Sequence, residues 1–187
     1  METFTDPKQL TELPRFQEQR RKHLARLKLG TIDAPIREVV RDFARLPYCF
    51  TLQSCYGHFL HRSEADPHNT EPIPALDSTA LVEYRIAYIA LCIENSSSGR
   101  ALFDDLRDVQ SIDPEYVQFG SGEWFWERQP NSYALQVEPR RHMKRDKVII
   151  GYEESLHIEK LRERFFAQLG CLVQGRLPSS RIGLLRP

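Results

Sequence analysis

The sequence has no long apolar run and no excess of charge of either sign. No stretch approaches the ~20 apolar residues of a membrane-spanning helix. The polar residues 1–6 lack the basic and apolar regions of a secretory signal. We therefore expect a cytoplasmic protein without a membrane segment. Lys+Arg and Asp+Glu balance at 26 each, whereas a dedicated nucleic-acid binder is usually more basic, so any such role must use a local basic patch.

Familiar catalytic motifs are also missing. The chain has no Walker-type loop, no dinucleotide-binding glycine pattern and no Gly-x-Ser-x-Gly elbow. Its four cysteines form no Cys-x-x-Cys pair, and without an export signal we expect them to stay reduced. The function therefore has to be inferred from less familiar groups of side chains.

The chain is long and apolar enough to build a proper core, with 187 residues of which 41% are hydrophobic. We predict a single α+β domain with a mixed sheet of about five strands and flanking helices. This domain covers residues 31–173. Residues 1–30 are predicted to form an N-terminal helical arm, and residues 174–187 a loosely held polar tail.

Apolar spacing and capping residues predict the helices, and in the C-terminal helix Ile158, Leu161, Phe165 and Leu169 form the predicted buried stripe. The predicted helices run from Asp6-Pro7 to Gly30 with a restart near Pro14, from Asp33-Ala34-Pro35 to Pro47, and over residues 98–109 and 147–169. β-Branched and aromatic content predicts strands at residues 48–54, 81–94, 116–119, 123–127 and 132–137. The polar, proline-rich residues 57–79 are predicted to be a long connection, which is often functional or mobile.

The richest group of reactive side chains follows the first predicted strand. Cys55, His58 and His61 are spaced three apart, and thiolate and imidazole are good zinc ligands, so these three are candidates for a metal site. The spacing matches no established zinc pattern. In the alternative interpretation Cys55 is a small buried residue, Gly57 a turn residue, and the two histidines the edge of a loop.

A helix and an aromatic-rich strand lead into Ser54-Cys55-Tyr56-Gly57-His58. This order resembles the wybutosine-synthesis methyltransferases, a tRNA-modifying family with a Ser-Ser-Cys-Ser-Gly-Arg signature. Ser54, Cys55 and Gly57 match that signature, while Gln53, Tyr56 and His58 replace its Ser, Ser and Arg. The resemblance implies an S-adenosylmethionine-dependent tRNA methyltransferase, or a relative of that fold. Ser54 and Gly57 would then shape the pocket, with Cys55 lining it or structural.

A second candidate site is the turn before the predicted helix at residues 98–109. Ser98, Gly99 and Arg100 would place backbone N–H groups, a hydroxyl and a cation at a helix N-terminus, which suits a phosphate or carboxylate. An ordinary serine cap with a surface arginine is the alternative.

Aromatic and basic residues give two further candidates. In an extended chain Trp124, Trp126 and Arg128 would share one face, and such a face can stack on a base or an adenine ring. The alternative is that the tryptophans belong to the core. Asn131 is either a turn residue or a polar contact for a ligand.

Two basic surfaces are candidates for phosphate contacts. Arg140 and Arg141 belong to the densest basic run, residues 138–147. Arg20, Arg21, Lys22, His23, Arg26 and Lys28 form the second surface on the first helix. A solvated surface is the alternative for such runs.

Together these patterns favour an RNA-modification protein that binds tRNA and S-adenosylmethionine. Arg100, Arg140 and Arg141 would hold anionic groups, and the two tryptophans would stack. One alternative is a non-catalytic binding or assembly protein, with a homo-oligomer as one form. The other is a metal-binding protein that uses the Cys/His loop.

Overall fold

A computed structural model describes residues 4–62, 66–142 and 145–178, and for Phe4, Glu123 and Trp124 it describes the backbone only. The α-helices are α1 (Phe16–Arg26), α2 (Arg37–Arg45), α3 (Ser97–Asp108), α4 (Glu123–Arg128) and α5 (Tyr152–Arg176). Short 3-10 turns cover Leu29–Thr31, Ala34–Ile36, Val109–Ile112 and Arg140–His142. Within this part of the chain no helix combines the length and apolar character needed to cross a membrane.

The strands form two antiparallel sheets. They are β1 (Phe4–Thr5), β2 (Cys49–Cys55), β3 (His58–Leu60), β4 (Leu81–Arg85), β5 (Ala87–Ile93), β6 (Val117–Gly122), β7 (Ser132–Val137) and β8 (Lys147–Gly151). Five strands lie in the order β1-β6-β7-β5-β2 and three in the order β3-β4-β8. The predicted α+β domain is confirmed. The predicted mixed sheet is wrong, because every strand pair in the described chain is antiparallel. Strands β5 and β6 run in the same direction, but β7 lies between them.

Two of the three passages of the chain between the sheets lie next to each other. Tyr56 and Gly57 connect β2 to β3, and Ile86 connects β4 to β5. The single strand predicted over residues 81–94 is therefore wrong. The break at Ile86 is marked by its N–H, which donates to the carbonyl of Asp146 (3.2 Å) instead of to a strand of the larger sheet.

Helix α5 supplies much of the core. The four residues of its predicted apolar stripe are all buried: Ile158, Leu161, Phe165 and Leu169. They share one core with Val40 and Phe43 of α2, which packs against α5. This face also buries a charged residue, Arg162, with 2% of its surface exposed.

The N-terminal segment is extended, and no helix precedes Phe16 in the described chain. The Lys8 N–H donates to the Ser121 hydroxyl (3.0 Å), and the Tyr133 hydroxyl donates to the Lys8 carbonyl (2.9 Å). These bonds to the sheet occupy backbone groups that a helix would need for its own turns. The prediction of a helix from Asp6-Pro7 is therefore wrong. The helix that does form, α1, packs against β2 through Phe16 and Phe50, whose ring centroids are 5.5 Å apart.

Two further elements differ in type from their predictions. Residues 123–127 lie in helix α4 and not in a strand, and residues 147–151 form strand β8 and not the first turns of a helix. In β8 Val148 and Ile150 are buried while Ile149 is exposed, which is the two-residue alternation of a strand. Helix α5 starts at Tyr152 and includes residues 174–176 of the predicted tail. Residues 179–187 of that tail lie outside the described residues.

Candidate functional site

Gly57 forms the kink at which β2 ends and β3 begins. Its φ angle is +88°, and a Cβ atom on Gly57 would lie 2.8 Å from the Cβ of Ala87. Glycine reaches this φ without strain and leaves room for the neighbouring chain. The kink therefore depends on glycine for two separate reasons.

The kink brings the side chains of Asp33, Cys55 and His58 together. One carboxylate oxygen, the thiol sulfur and one ring nitrogen lie within 4.8 Å of one another. Asp33 comes from the loop before α2, and its Oδ2 accepts the Tyr56 N–H (2.7 Å). That bond holds the carboxylate against the strand end. His61, which its spacing in the sequence groups with Cys55 and His58, is not part of this group within the described chain.

The ring of His58 is buried, and its two nitrogens have different surroundings. Nδ1 lies 3.0 Å from the Asn69 carbonyl, which can only accept, so in the neutral ring Nδ1 carries the proton and Nε2 the lone pair. Nε2 lies 3.6 Å from Asp33 Oδ2, too far for a hydrogen bond. A nucleophile relay places the thiol and the carboxylate on opposite ring nitrogens. In His58 the nitrogen Nδ1 faces the Asn69 carbonyl and not a carboxylate or thiol, so the group is not arranged as a relay.

Cys55 is half-buried at the end of β2, where the Gly57 N–H points at its sulfur (3.4 Å). Burial raises the pKa of the Cys55 thiol to about 11, although the Gly57 N–H opposes the shift. At neutral pH the thiol therefore keeps its proton and is a poor nucleophile. A bound cation would displace that proton and take the thiolate as a ligand.

Arg162 of α5 supports the kink from the core side. Its Nη1 donates to the Gly57 carbonyl (2.8 Å), and its guanidinium carbon lies 3.9 Å from the centroid of the Tyr56 ring. A buried guanidinium with these contacts fixes the two residues that follow Cys55.

A cleft of about 490 Å³ lies beside this group, between the C-terminal end of α1 and β2. Asp33 is shared between the group and the cleft. The other residues that line the cleft come from α1, the following loop, α2, β2 and β5: His23, Arg26, Leu27, Lys28, Thr31, Ile32, Val40, Thr51, Leu52, Gln53, Ser54 and Tyr88. One of the two basic surfaces of the sequence therefore faces Ser54 of the signature-like segment.

Two aromatic rings of the cleft are neutral at pH 7. Burial and the charge of Arg26 lower the pKa of His23, whose ring centroid lies 4.7 Å from that of Phe50. Burial raises the pKa of Tyr88 to about 12, and its hydroxyl donates to Gln53 Oε1 (3.2 Å). The positive charge in the cleft therefore comes from Arg26 and Lys28, which are both exposed.

The turn at Ser98, Gly99 and Arg100 lies apart from this cleft. Ser96 caps α3, because its hydroxyl accepts the Gly99 N–H (3.2 Å). A Cβ atom on Gly99 would lie 1.9 Å from the Glu94 carbonyl oxygen, so this glycine serves close packing. Ser98 is exposed, and Arg100 donates to Asn95 Oδ1 (2.8 Å).

Arg100 also lines a second cleft, of about 450 Å³, together with Lys8, Phe103, Asp104 and Arg107. Arg107 forms an ion pair with Asp104 in this cleft (3.0 Å). Both arginines are therefore already held by neighbouring side chains, whereas the side chains of Arg26 and Lys28 in the first cleft have no such bond within the described chain.

The predicted aromatic face does not form. Trp124 and Trp126 belong to helix α4, and residues two apart on a helix point in different directions. Trp126 packs edge-on against Tyr133 (5.6 Å between centroids), with Lys8 Nζ 5.4 Å from its ring. The side chain of Trp124 lies outside the described residues.

Asn131 is a turn residue with a structural side chain. Its φ is +61°, and it is fully buried. Its Oδ1 accepts the Thr11 N–H (2.8 Å), and its Nδ2 donates to the Thr11 carbonyl (2.7 Å). Asn131 therefore fastens the N-terminal segment and is not a ligand contact of the cleft.

Arg140 and Arg141 lie in the 3-10 turn after β7, on neither cleft. Arg141 pairs with Glu154 of α5 (2.6 Å), which also accepts the Tyr116 hydroxyl (3.1 Å). Arg140 is exposed, and its N–H donates to the Glu115 carbonyl (2.8 Å). The two predicted basic surfaces therefore do not share a cleft.

The sequence placed Asp33 at a helix start and missed its part in the group. The side chain makes no cap bond to the following turn; it reaches across to the strand end instead. Tyr88 and Arg162 were also missed, because they lie far from Ser54 in sequence. The feature of the sequence that could have indicated Asp33 is its position as a lone carboxylate just before the helix that leads into the strand ending at Cys55.

No protein-family model and no curated protein matches the chain. Among solved structures, it is similar to the PH1069 protein from Pyrococcus horikoshii, with a TM-score of 0.53 and 10% identity over 84% of this chain and 95% of that one. A structure of the same protein from Pyrococcus horikoshii OT3 gives a TM-score of 0.51 and 10% identity, over 87% of this chain and 95% of that one. At this identity the likeness shows a shared fold.

Proposed function

We propose that the protein binds RNA in the cleft between α1 and β2 and takes part in RNA modification. The observation that carries the proposal is the meeting of two sequence features in one cleft. The basic end of α1, with Arg26 and Lys28, faces Gln53 and Ser54 of the segment that resembles the tRNA-methyltransferase signature.

The size and lining of the cleft support a nucleotide-sized ligand. Its volume of about 490 Å³ lies within the range of small-molecule sites. Arg26 and Lys28 would hold backbone phosphates as exposed point charges. The neutral rings of His23 and Tyr88 offer flat surfaces on which a base can stack.

The implied activity is methyl transfer from S-adenosylmethionine to a base of tRNA. The hydroxyl and amide groups of Thr31, Gln53 and Ser54 suit the ribose and amino-acid groups of this cofactor. S-Adenosylmethionine, when bound, supplies the methyl group. The protein's own part would be to hold the base in line with that group and to exclude water.

The RNA part of the proposal is tested by the anisotropy of labelled tRNA at several salt concentrations. The double variant Arg26→Ala/Lys28→Ala should bind about tenfold more weakly, and its salt dependence should fall by one to two phosphate contacts. Lys160→Ala/Arg164→Ala removes two exposed charges from α5 and should bind as the wild type does. Equal losses in both double variants would contradict a role for this cleft.

Calorimetry with S-adenosylmethionine tests the cofactor separately. We expect heat of binding in the wild type, reduced in Gln53→Ala, whose side chain is exposed in the cleft. An absence of heat at high cofactor concentration, together with intact tRNA binding, would leave RNA binding and overturn methyl transfer.

A further inference from the structure

The group formed by Asp33, Cys55 and His58 has the composition of a transition-metal site. Thiolate, imidazole and carboxylate are the ligands that Zn²⁺ accepts, and its protein sites use three or four of them. The three side chains come from separate segments that the Gly57 kink brings together, and their ligand atoms all lie within 4.8 Å of one another.

The distance between Asp33 Oδ2 and His58 Nε2 agrees with a shared metal ion. Two ligands bound at 2.0–2.1 Å to a tetrahedral zinc ion lie about 3.4 Å apart. The observed distance is 3.6 Å, whereas a hydrogen bond would draw the same atoms to about 2.9 Å. The two atoms therefore lie at about the separation of two zinc ligands and do not bond to each other.

The surroundings orient each ligand as metal sites require. The Asn69 carbonyl accepts from Nδ1 of His58 and so keeps the lone pair on Nε2, and the Tyr56 N–H fixes the Asp33 carboxylate. Such second contacts set the tautomer and direction of metal ligands. The Asn69 carbonyl belongs to the connection predicted at residues 57–79, which gives this long loop a function.

Charge balance favours a divalent ion. A carboxylate, a thiolate and a neutral imidazole carry two negative charges, so Zn²⁺ makes the half-buried group neutral. The thiolate excludes the harder ions Mg²⁺ and Ca²⁺, which take oxygen ligands.

We propose that Asp33, Cys55 and His58 bind one zinc ion at the junction of the two sheets. The described residues provide three ligands. Because Asp33 also lines the cleft beside α1, a water molecule or a ligand in that cleft completes the coordination. A zinc ion with three protein ligands and an open position is the arrangement of catalytic zinc sites.

The test is a zinc titration of the chelator-treated, reduced protein against a competing chromophoric chelator. We expect one zinc ion per chain. Cys55→Ala and Asp33→Asn should each weaken binding at least ~100-fold, since they remove direct ligands and even outer contacts are worth about 10–100-fold. Cys171→Ser removes an exposed cysteine and should bind zinc as the wild type does.

His61→Gln separates this site from the set Cys55, His58 and His61 that the sequence suggested. Unchanged zinc affinity in His61→Gln supports Asp33, Cys55 and His58 as the ligands. A loss of affinity equal to that of Asp33→Asn overturns this set. A wild-type protein that takes up no stoichiometric zinc also overturns the proposal. The test does not depend on a variant of the buried His58, because the two altered ligands, Cys55 and Asp33, are only half-buried. Zinc is the only ligand used, so the result is independent of RNA binding.

Discussion

The junction at Gly57 and the turn before α3 contain similar residues but use their polar groups differently. Both place a glycine and polar side chains at the end of a strand. In the turn, the Gly99 N–H bonds to the Ser96 hydroxyl, and Arg100 bonds to Asn95. At the junction, Asp33 Oδ2 and His58 Nε2 lie 3.6 Å apart without a bond.

The comparison teaches that residue type alone does not identify a site. Ser98, Gly99 and Arg100 have the composition of an anion site, yet the turn satisfies its groups within the protein. At the junction, three ligand atoms lie within 4.8 Å of one another. The two regions differ in one respect: Arg100 is bonded to Asn95, whereas His58 Nε2 lies beyond hydrogen-bond distance of Asp33 Oδ2.

The largest expected effect comes from the two glycines. Gly57→Ala and Gly99→Ala should each lower the free energy of unfolding by about 2–5 kcal/mol, because a Cβ meets a neighbour at 2.8 and 1.9 Å respectively. Gly30→Ala, with nothing within 4 Å of its Cβ, should change stability by less than about 1 kcal/mol. Urea unfolding measures all three.

Zinc binding then separates the two destabilised variants. At a temperature where both are folded, Gly57→Ala should bind zinc more weakly, because Cys55 and His58 flank the altered kink. Gly99→Ala should keep the wild-type affinity. The comparison between the regions fails if the two variants lose zinc equally.

A third region, around Glu138, contains a buried carboxyl group that is only partly hydrogen-bonded within the described chain. Glu138 is fully buried, Gln136 donates to its Oε2 (3.0 Å), and its Oε1 has no partner in the described chain. Burial raises the pKa of Glu138 to about 8, and the charge of Asp146 adds to the shift.

This shift predicts a pH dependence of stability with a definite sign. The unfolded chain releases the Glu138 proton near pH 4.5, whereas the folded protein holds it up to about pH 8. Stability relative to Glu138→Gln should therefore fall as the pH rises through this window, by up to about 1.4 kcal/mol per unit. Urea unfolding of both proteins at pH 5 to 8 measures the difference. If the free energies of unfolding of the wild type and Glu138→Gln changed with pH in the same way, the Glu138 carboxyl would be solvated and its pKa would not be raised.

A smaller effect is expected at the cap of α3. Ser96→Ala removes the acceptor of the Gly99 N–H and should lower the free energy of unfolding by about 1 kcal/mol. Thermal unfolding measures the loss. Zinc affinity should not change, since the turn holds no ligand; a loss of zinc would mean that the two regions are coupled.

The sequence was informative where one segment determines its own structure. The spacing of Ile158, Leu161, Phe165 and Leu169 predicted the buried face of α5. The side chains from Ser54 to His58 indicated the segment in which two members of the candidate group lie. It failed where distant segments decide. Nothing near Ile86 shows that a strand of the second sheet ends there, and the N-terminal segment is extended because the sheet edge offers it hydrogen bonds.

The site itself required the fold. Asp33 and Cys55 are separated by helix α2 and strand β2, and they meet because β2 packs against α2 and runs back toward the start of that helix. His58 enters the group because Gly57 takes a positive φ. No periodicity in the sequence encodes these approaches, so His61, which has the regular spacing, was the sequence-based candidate in place of Asp33.

The absorption spectrum of the cobalt-loaded protein tests the central claim most directly. Co²⁺ takes the place of zinc and reports both its geometry and its thiolate ligand. We predict an intense visible spectrum of tetrahedral cobalt with a thiolate-to-cobalt charge-transfer band, which Cys171→Ser retains and Cys55→Ser loses. A weak spectrum of octahedral cobalt, identical in the wild type and Cys55→Ser, would contradict a metal site at the junction.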